Sequence, residues 1–233
     1  MSEAFKYPGD ELALFQHAKN WKRYFSKKIK PFIKGNVLEV GAGIGATTLL
    51  LNDGSATQWT MLEPDEKMSA ALKEKISMFP SNSRIQTGTV GTFTGTFDTI
   101  IYIDVLEHIE NDAAELKKAS ELLNKDGHLI ILAPAFRSLY SPFDKAIGHY
   151  RRYNRQLLKA IKPTDLKCIS SRYYDSAGYF ASVMNKVFLK QKYPTLKQVI
   201  FWDRWLVPVS KIADKIFLHS FGKSVITIWE KVN

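Results

Sequence analysis

The chain has a single cysteine, Cys168, so no disulfide can close within it, which fits a reducing compartment. No uninterrupted apolar run approaches the roughly 20 residues that a helix needs to span a bilayer. The opening MSEAFKYPGDELALF lacks a basic segment followed by an apolar one, so no secretory signal is expected. Internal repeats and low-complexity tracts are missing too. These absences point to a cytoplasmic protein and leave peripheral membrane contact open. With 233 residues, 45% hydrophobic and 24% charged, the chain suits one α/β domain spanning 1–233.

The charge is lopsided, at +10. Lys19, Lys22, Arg23, Lys27, Lys28, Lys30 and Lys34 fall in one stretch. Such a stretch suits nucleic acid, anionic lipid or an anionic small substrate, and equally a solvated helix face.

Along the chain, Leu12, Phe15, Ala18, Trp21, Phe25 and Ile29 recur at helical spacing and predict a helix over 10–33, ended by Pro31 and Gly35. Apolar runs predict strands at 36–41, 57–63, 84–88, 97–104 and 128–134, with helices between them. One of those helices is capped by Asn111 or Asp112 and closed by Gly127. Alternating strands and helices give a mainly parallel, Rossmann-like sheet with helices on both faces. Ligands in such sheets sit at the carboxyl ends of strands, where Gly41, Glu63, Gly88 and Asp104 fall. A sixth strand at 166–171 and a last one at 223–231 flank an aromatic-rich helical insertion over about 172–222.

EVGAGIGA places Gly41, Gly43 and Gly45 between a strand and a helix, where glycine allows positive φ and close approach of a ligand. Taken alone this is a weak signal, which also fits a dinucleotide fingerprint through Ala46. Glu63 ends the second strand, where a carboxylate can accept both ribose hydroxyls of a nucleoside.

The stretch FDTIIYIDVLEHIEND raises a different question, because a buried strand finishes in Asp104, Glu107 and His108. Their i, i+3, i+4 spacing puts them on one face if a helix starts there. Asp104 then lines a pocket while Glu107 and His108 brace the turn, or His108 serves as a general base. The loop 138–154 follows the fifth strand and crowds Tyr140, Phe143, Asp144, His149, Tyr150, Arg151, Arg152 and Tyr153 onto the substrate rim. Aromatics there bind rings, arginines pair with anions, and His149 is a second candidate base. A purely structural lock of Arg152 on Asp144 explains part of the loop equally well.

EVGAGIG, MLEPD, TGTV, YIDVLEHI and LLNKDGHLIILAP follow one another in the order and spacing of class I S-adenosylmethionine (SAM) methyltransferases, which the chain resembles over roughly 30–135. The resemblance implies a seven-stranded sheet with an antiparallel last strand, SAM as cofactor and S-adenosylhomocysteine as product. It implies that Glu39 and the loop Gly41, Ala42, Gly43 and Gly45 hold the methionine moiety. Glu63 would take the ribose, Pro64 and Val90 would flank the adenine, and Thr89 would meet its edge, with Asp104 completing the site. Many relatives carry Asp where Thr89 stands. Asp-x-x-Glu-His is also similar to the Glu-x-x-Glu-His motif of metal-dependent ubiquinone-pathway and small-RNA 2′-O-methyltransferases, with Asp104 one methylene short. A divalent metal, with His149 as a further ligand, is therefore open. SLYSPFDKAIGHYRRYN and GKSVITIWEK loosely resemble bacterial methyltransferases of glycan and glycolipid pathways.

The expected activity is O-methylation of a small-molecule, glycan or lipid-linked acceptor, with Asp104, His108 and His149 as the catalytic candidates. The alternatives are an RNA methyltransferase, favoured by the basic helix, and a non-catalytic SAM-binding protein. The segment 196–219, with Trp202, Trp205 and Pro208, reads either as a cap over the site or as a membrane-contacting helix. Oligomeric state is not legible.

Overall fold

Short β-branched runs become the strands of one sheet. The computed structural model describes residues 11–186 and 193–232, and its strands are β1 (Asn36–Val40), β2 (Gln58–Glu63), β3 (Ser83–Thr87), β4 (Phe97–Ile103), β5 (Leu123–Pro134), β6 (Leu166–Tyr174) and β7 (Ser224–Lys231). Their order is β3-β2-β1-β4-β5-β7-β6. β1 to β5 pair in parallel, whereas β7 runs antiparallel to both β5 and β6. This is the Rossmann-like α/β sheet expected, including the antiparallel last strand. Chain order reverses between β1 and β4, which opens a crevice at their carboxyl ends.

The helices are α1 (Glu11–Phe15), α2 (Lys19–Ile29), α3 (Ala46–Leu51), α4 (Glu66–Glu74), α5 (Asp112–Glu121), α6 (Pro142–Ala146), α7 (Arg155–Ala160), α8 (Ser176–Met184), α9 (Leu196–Phe201) and α10 (Val207–Ile216). One face of the sheet packs Trp21, Phe25 and Ile29 of α2, Leu51 of α3 and Leu72 of α4 against Val37, Trp59 and Met61. The other packs Leu116 and Ala119 of α5 and Leu158 of α7 against Leu38, Ile100 and Leu129. Apolar burial on both faces explains why the β4 run is almost continuously hydrophobic.

Three boundaries differ from the sequence reading. The helix expected over 10–33 is two helices, and its first residue and the stretch 187–192 of the insertion lie outside the described residues. α2 starts afresh because Asp203, distant in sequence, accepts from Asn20 N at 3.0 Å and Trp21 N at 2.8 Å. The local N-cap position is Ala18, which offers no acceptor of its own. Next, α5 starts as expected, with Asn111 accepting from Ala114 N at 3.2 Å, but it stops at Glu121. LNKDG instead begins β5, with a register shift opposite Phe97–Thr99 and Asp126 at φ 59°. A Cβ on Gly127 would stand 2.8 Å from Asn124 O and 3.0 Å from Asp98 O, so this glycine serves the irregular strand start, not a helix end. Finally, β6 continues to Tyr174, taking residues 172–174 out of the insertion.

α8, α9 and α10 lie between β6 and β7, and a turn of π-helix at 202–206 joins α9 to α10. Tyr174 and Ser224, on either side of this detour, are register partners.

Candidate active site

The strand ends, the α1–α2 segment and the α8–α10 insertion enclose a cavity of about 870 Å³. Sites for small ligands run from about 300 to about 1,000 Å³, so this one has room for a nucleoside-sized molecule and a second reactant. Gly41, Ala42, Gly43, Glu63, Pro64, Thr89, Val90, Asp104, His108 and His149 all line it. Glu39 and Gly45 do not.

Those two residues support the loop from behind. Glu39 is buried, accepting from Thr48 Oγ1 at 2.5 Å and Trp59 Nε1 at 2.7 Å. Burial pushes its carboxyl up to about 7 against the pull of those two hydrogen bonds. It therefore ties β1 to α3 and β2 instead of facing a ligand. At Gly45 (φ 77°) a Cβ would lie 2.4 Å from Phe79 Cζ, and at Gly41 (φ 68°) one would lie 2.7 Å from Val105 Cγ2. The glycines at these positions are demanded by φ and by packing together. Gly43 has its N–H on Glu63 Oε2 at 2.7 Å, while Glu63 Oε1 accepts from Asp65 N at 2.9 Å. Burial raises the Glu63 carboxyl, opposed by those two backbone donors. Each oxygen keeps lone pairs for further donors.

Asp104 closes β4 with φ 53°, its N–H on Leu132 O at 2.8 Å. A non-glycine residue in that region is uncommon and concentrates where a site constrains the backbone. The left-handed step breaks the helix that would have put Asp104, Glu107 and His108 on one face. Only a 3-10 turn, Leu106–His108, follows it. Burial raises the Asp104 carboxyl, countered by positive charge from His149, Lys223, Arg152 and Lys22.

His149 comes to meet this turn. Its Nδ1 is 2.9 Å from Asp144 Oδ1 and its Nε2 is 3.8 Å from Glu107 Oε1, the second beyond hydrogen-bond range. The His108 and His149 rings meet edge to face, centroids 4.6 Å apart. Asp144 also takes Arg152 Nε at 2.8 Å and Nη2 at 3.1 Å, and Ser141 Oγ at 2.8 Å. Burial alone would raise Asp144, yet the bonds from His149 and Arg152 hold it well below the usual carboxylate range. The Arg152–Asp144 lock and the candidate base are thus parts of one unit. His108 is pushed down to about 4, first by burial and then by the neighbouring imidazole, while a bond to the Gly148 carbonyl opposes the shift.

Glu107 is fully buried, and neither carboxylate oxygen has a hydrogen-bond partner. Burial and the Asp104 charge raise its pKa well above normal. One ligand atom each from Glu107, His108 and His149 lie within 4.8 Å of one another. A buried carboxylate beside two imidazoles is a donor set suited to a divalent ion, and Asp104 is not part of it.

The sequence pattern gives Glu107 only a bracing role beside His108, and nothing in it marks Lys223. Lys223 lines the cavity just before β7, its Nζ 4.3 Å from the Trp202 ring centroid. Burial lowers its pKa, partly offset by Asp175 and Asp104. A lysine at a strand entrance carries no pattern that marks it as facing the same site as His149, 70-odd residues earlier in the chain.

A methyltransferase domain family model matches residues 13–173. No curated protein matches the chain in sequence. Among solved structures, a chain from Galdieria sulphuraria provisionally assigned as a sarcosine dimethylglycine methyltransferase superposes with TM-score 0.63 at 13% identity, over 92% of this chain and 86% of that one. Coclaurine N-methyltransferase, bound to N-methylheliamine and S-adenosylhomocysteine, gives 0.59 at 15%, over 92% and 72%. An S-adenosylmethionine-dependent methyltransferase from Clostridium acetobutylicum gives 0.58 at 11%, over 93% and 92%.

Proposed function

This chain belongs to the methyltransferase domain family, and we propose that it is a SAM-dependent enzyme that methylates a hydroxyl on a small-molecule, sugar or lipid-linked acceptor. The observation that carries the hydroxyl assignment is the Asp144–His149 pair opening on the same cavity as the glycine loop and Glu63. SAM supplies a methyl group made electrophilic by its sulfonium. The backbone at Gly41–Gly43 would hold the methionine end, Glu63 the ribose, and Pro64, Thr89 and Val90 the base. A hydroxyl attacks well only as it loses its proton. His149 Nε2 would accept that proton while Nδ1–H stays on Asp144, whose negative charge steadies the imidazolium. Holding the reactants aligned supplies most of the remaining acceleration. The apolar wall from Leu206, Val199 and Phe201 suits an acceptor with a lipophilic part.

The test is transfer of labelled methyl from SAM into fractionated cell extract. Label in lipid or glycan, recovered as a methyl ether, supports the proposal. Label in RNA with steep salt dependence would replace it with the RNA reading, and label on nitrogen would move the methylated atom. Glu63→Ala is expected to weaken S-adenosylhomocysteine binding at least about tenfold, through the loss of charge-assisted hydrogen bonds. Calorimetry checks this, and unchanged affinity would remove Glu63 from the ribose site.

The orphaned Glu107 carboxylate favours a second reading, in which Glu107, His108 and His149 hold a divalent cation that orients the acceptor oxygen. His149 would then be a ligand, with Asp144 and the Gly148 carbonyl fixing the outer nitrogens of the two imidazoles. Treatment with EDTA separates the two readings. On the base reading turnover is unchanged; on the metal reading it falls at least about tenfold and returns with added Mn²⁺, Zn²⁺ or Mg²⁺.

A further inference from the structure

α10 is built inside out. Its inward positions are Val207, Ser210 and Asp214, all fully buried, and the last two are polar. Ser210 Oγ donates to Asp175 Oδ1 at 2.7 Å, and Asp214 accepts from Tyr24 Oη at 3.0 Å. Its outward positions are Val209, Ile212 and Ile216, exposed by 55%, 66% and 70%. Trp205 precedes them at 59%, and Phe217 and Leu218 follow at 46% and 84%. An ordinary surface helix does the opposite, burying its apolar stripe and exposing its polar one. Single exposed apolar residues are commonplace, but a stripe at i, i+4, i+7, i+11 continued by two more side chains marks a surface made to be covered.

Charge around the stripe identifies what covers it. Between residues 193 and 220 the only acidic side chains are Asp203 and Asp214, and both are buried. Lys197, Arg204 and Lys215 are exposed and Lys211 half-buried, so the accessible charges of the segment are all positive. Lys28 of α2 and Arg172 of β6 extend the collar, close enough for Lys215 and Arg172 to lower the Lys28 amine beyond the effect of its burial. A second copy of this chain would set one basic collar against another. An anionic surface matches both parts of the pattern.

We propose that the outer face of the 200–218 segment is a docking surface for an anionic lipid bilayer, with Trp205, Val209, Ile212, Ile216, Phe217 and Leu218 entering the acyl boundary and the lysines and arginines meeting the headgroups. No described helix is long and apolar enough to cross a membrane, so the contact is interfacial. A tryptophan beside arginine at the edge of the stripe suits the headgroup level. Phe201 belongs to both surfaces, lining the cavity while 56% exposed. The docking face therefore leads into the proposed acceptor site, although the binding itself does not depend on which atom is methylated.

The experiment is co-sedimentation of the full chain with vesicles of phosphatidylcholine alone, and of phosphatidylcholine with roughly one-third phosphatidylglycerol. Binding is expected to be at least about tenfold tighter to the anionic vesicles and to weaken with salt, since each cation near the surface adds to the attraction. Ile212→Glu with Ile216→Glu should reduce it at least about tenfold. Lys211→Gln with Lys215→Gln should narrow the preference for anionic vesicles. S-adenosylhomocysteine binding by each variant, measured alongside, reports that it is folded. Three results would overturn the proposal: no sedimentation with either vesicle, equal sedimentation of the folded glutamate variant, or a homodimer in analytical ultracentrifugation that this variant converts to monomer. The last would assign the face to a second copy.

Discussion

His149→Ala is expected to lower methyl transfer about 10²–10⁴-fold, the usual contribution of a positioned acid or base, with S-adenosylhomocysteine binding retained. His149 has a carboxylate directly behind it, Asp144 Oδ1 at 2.9 Å from Nδ1. His108 bonds instead to a backbone carbonyl and is held neutral by burial, so its replacement should cost less. Asp144→Asn is a useful companion. It preserves the shape, removes the charge and disturbs the tautomer that leaves Nε2 free to accept a proton. A base role predicts a loss in kcat with little change in KM, for both variants and for phenol-like acceptors less than for alcohols, because the more acidic hydroxyl needs less help. If His149→Ala turns over within about threefold of the parent, a positioned base is not contributing its usual factor and the hydroxyl mechanism fails.

Asp214→Ala is expected to destabilise the protein by about 3–5 kcal/mol. This carboxylate is fully buried and accepts from Tyr24 Oη at 3.0 Å, Asp175 N at 2.9 Å and Ser176 N at 2.9 Å. It holds α2, the start of α8 and α10 at one point. Alanine would orphan three donors at once, each costing about 1–3 kcal/mol when buried without a partner, less whatever water can enter. Asp175 stands beside it as a second hub, accepting from Gly178 N at 3.0 Å, Trp202 Nε1 at 2.7 Å and Ser210 Oγ at 2.7 Å. Urea unfolding followed by tryptophan fluorescence reads the loss. A change below about 1 kcal/mol would mean that the network is replaceable by solvent.

The sheet was legible because most of its strands are short apolar runs set off by turns, and parallel α/β topology follows from their alternation with helices. EVGAGIGA and the glutamate ending β2 were legible for the same reason, each being a residue type at a strand end. What escaped reading were interactions at long range. Asp203 and Asp214 look like solvated charges on an amphipathic helix, yet both are buried acceptors that fasten α2 and α8. Helical periodicity over 10–33 could not reveal that a cap from residue 203 restarts the helix. DVLEH looked like a helix start because its spacing is helical, and only the backbone of Asp104 at φ 53° reveals the turn that separates Asp104 from its neighbours. The meeting of His149 with Glu107 and His108 likewise needs the loop after β5 to fold back, which spacing alone does not encode.

Tyr174 and Ser224 pair across β6 and β7, so the whole α8–α10 detour leaves the sheet and rejoins it at adjacent points. A detour with coincident ends can be lengthened, shortened or exchanged with little entropic consequence for the rest, since closure cost grows only slowly with length. Length alone is therefore cheap to change in the detour, but its carboxylates are not, because Asp203 and Asp214 within it cap and anchor α2, which packs on the sheet. A segment grafted between residues 175 and 223 would have to keep both carboxylates for α2 to stay seated.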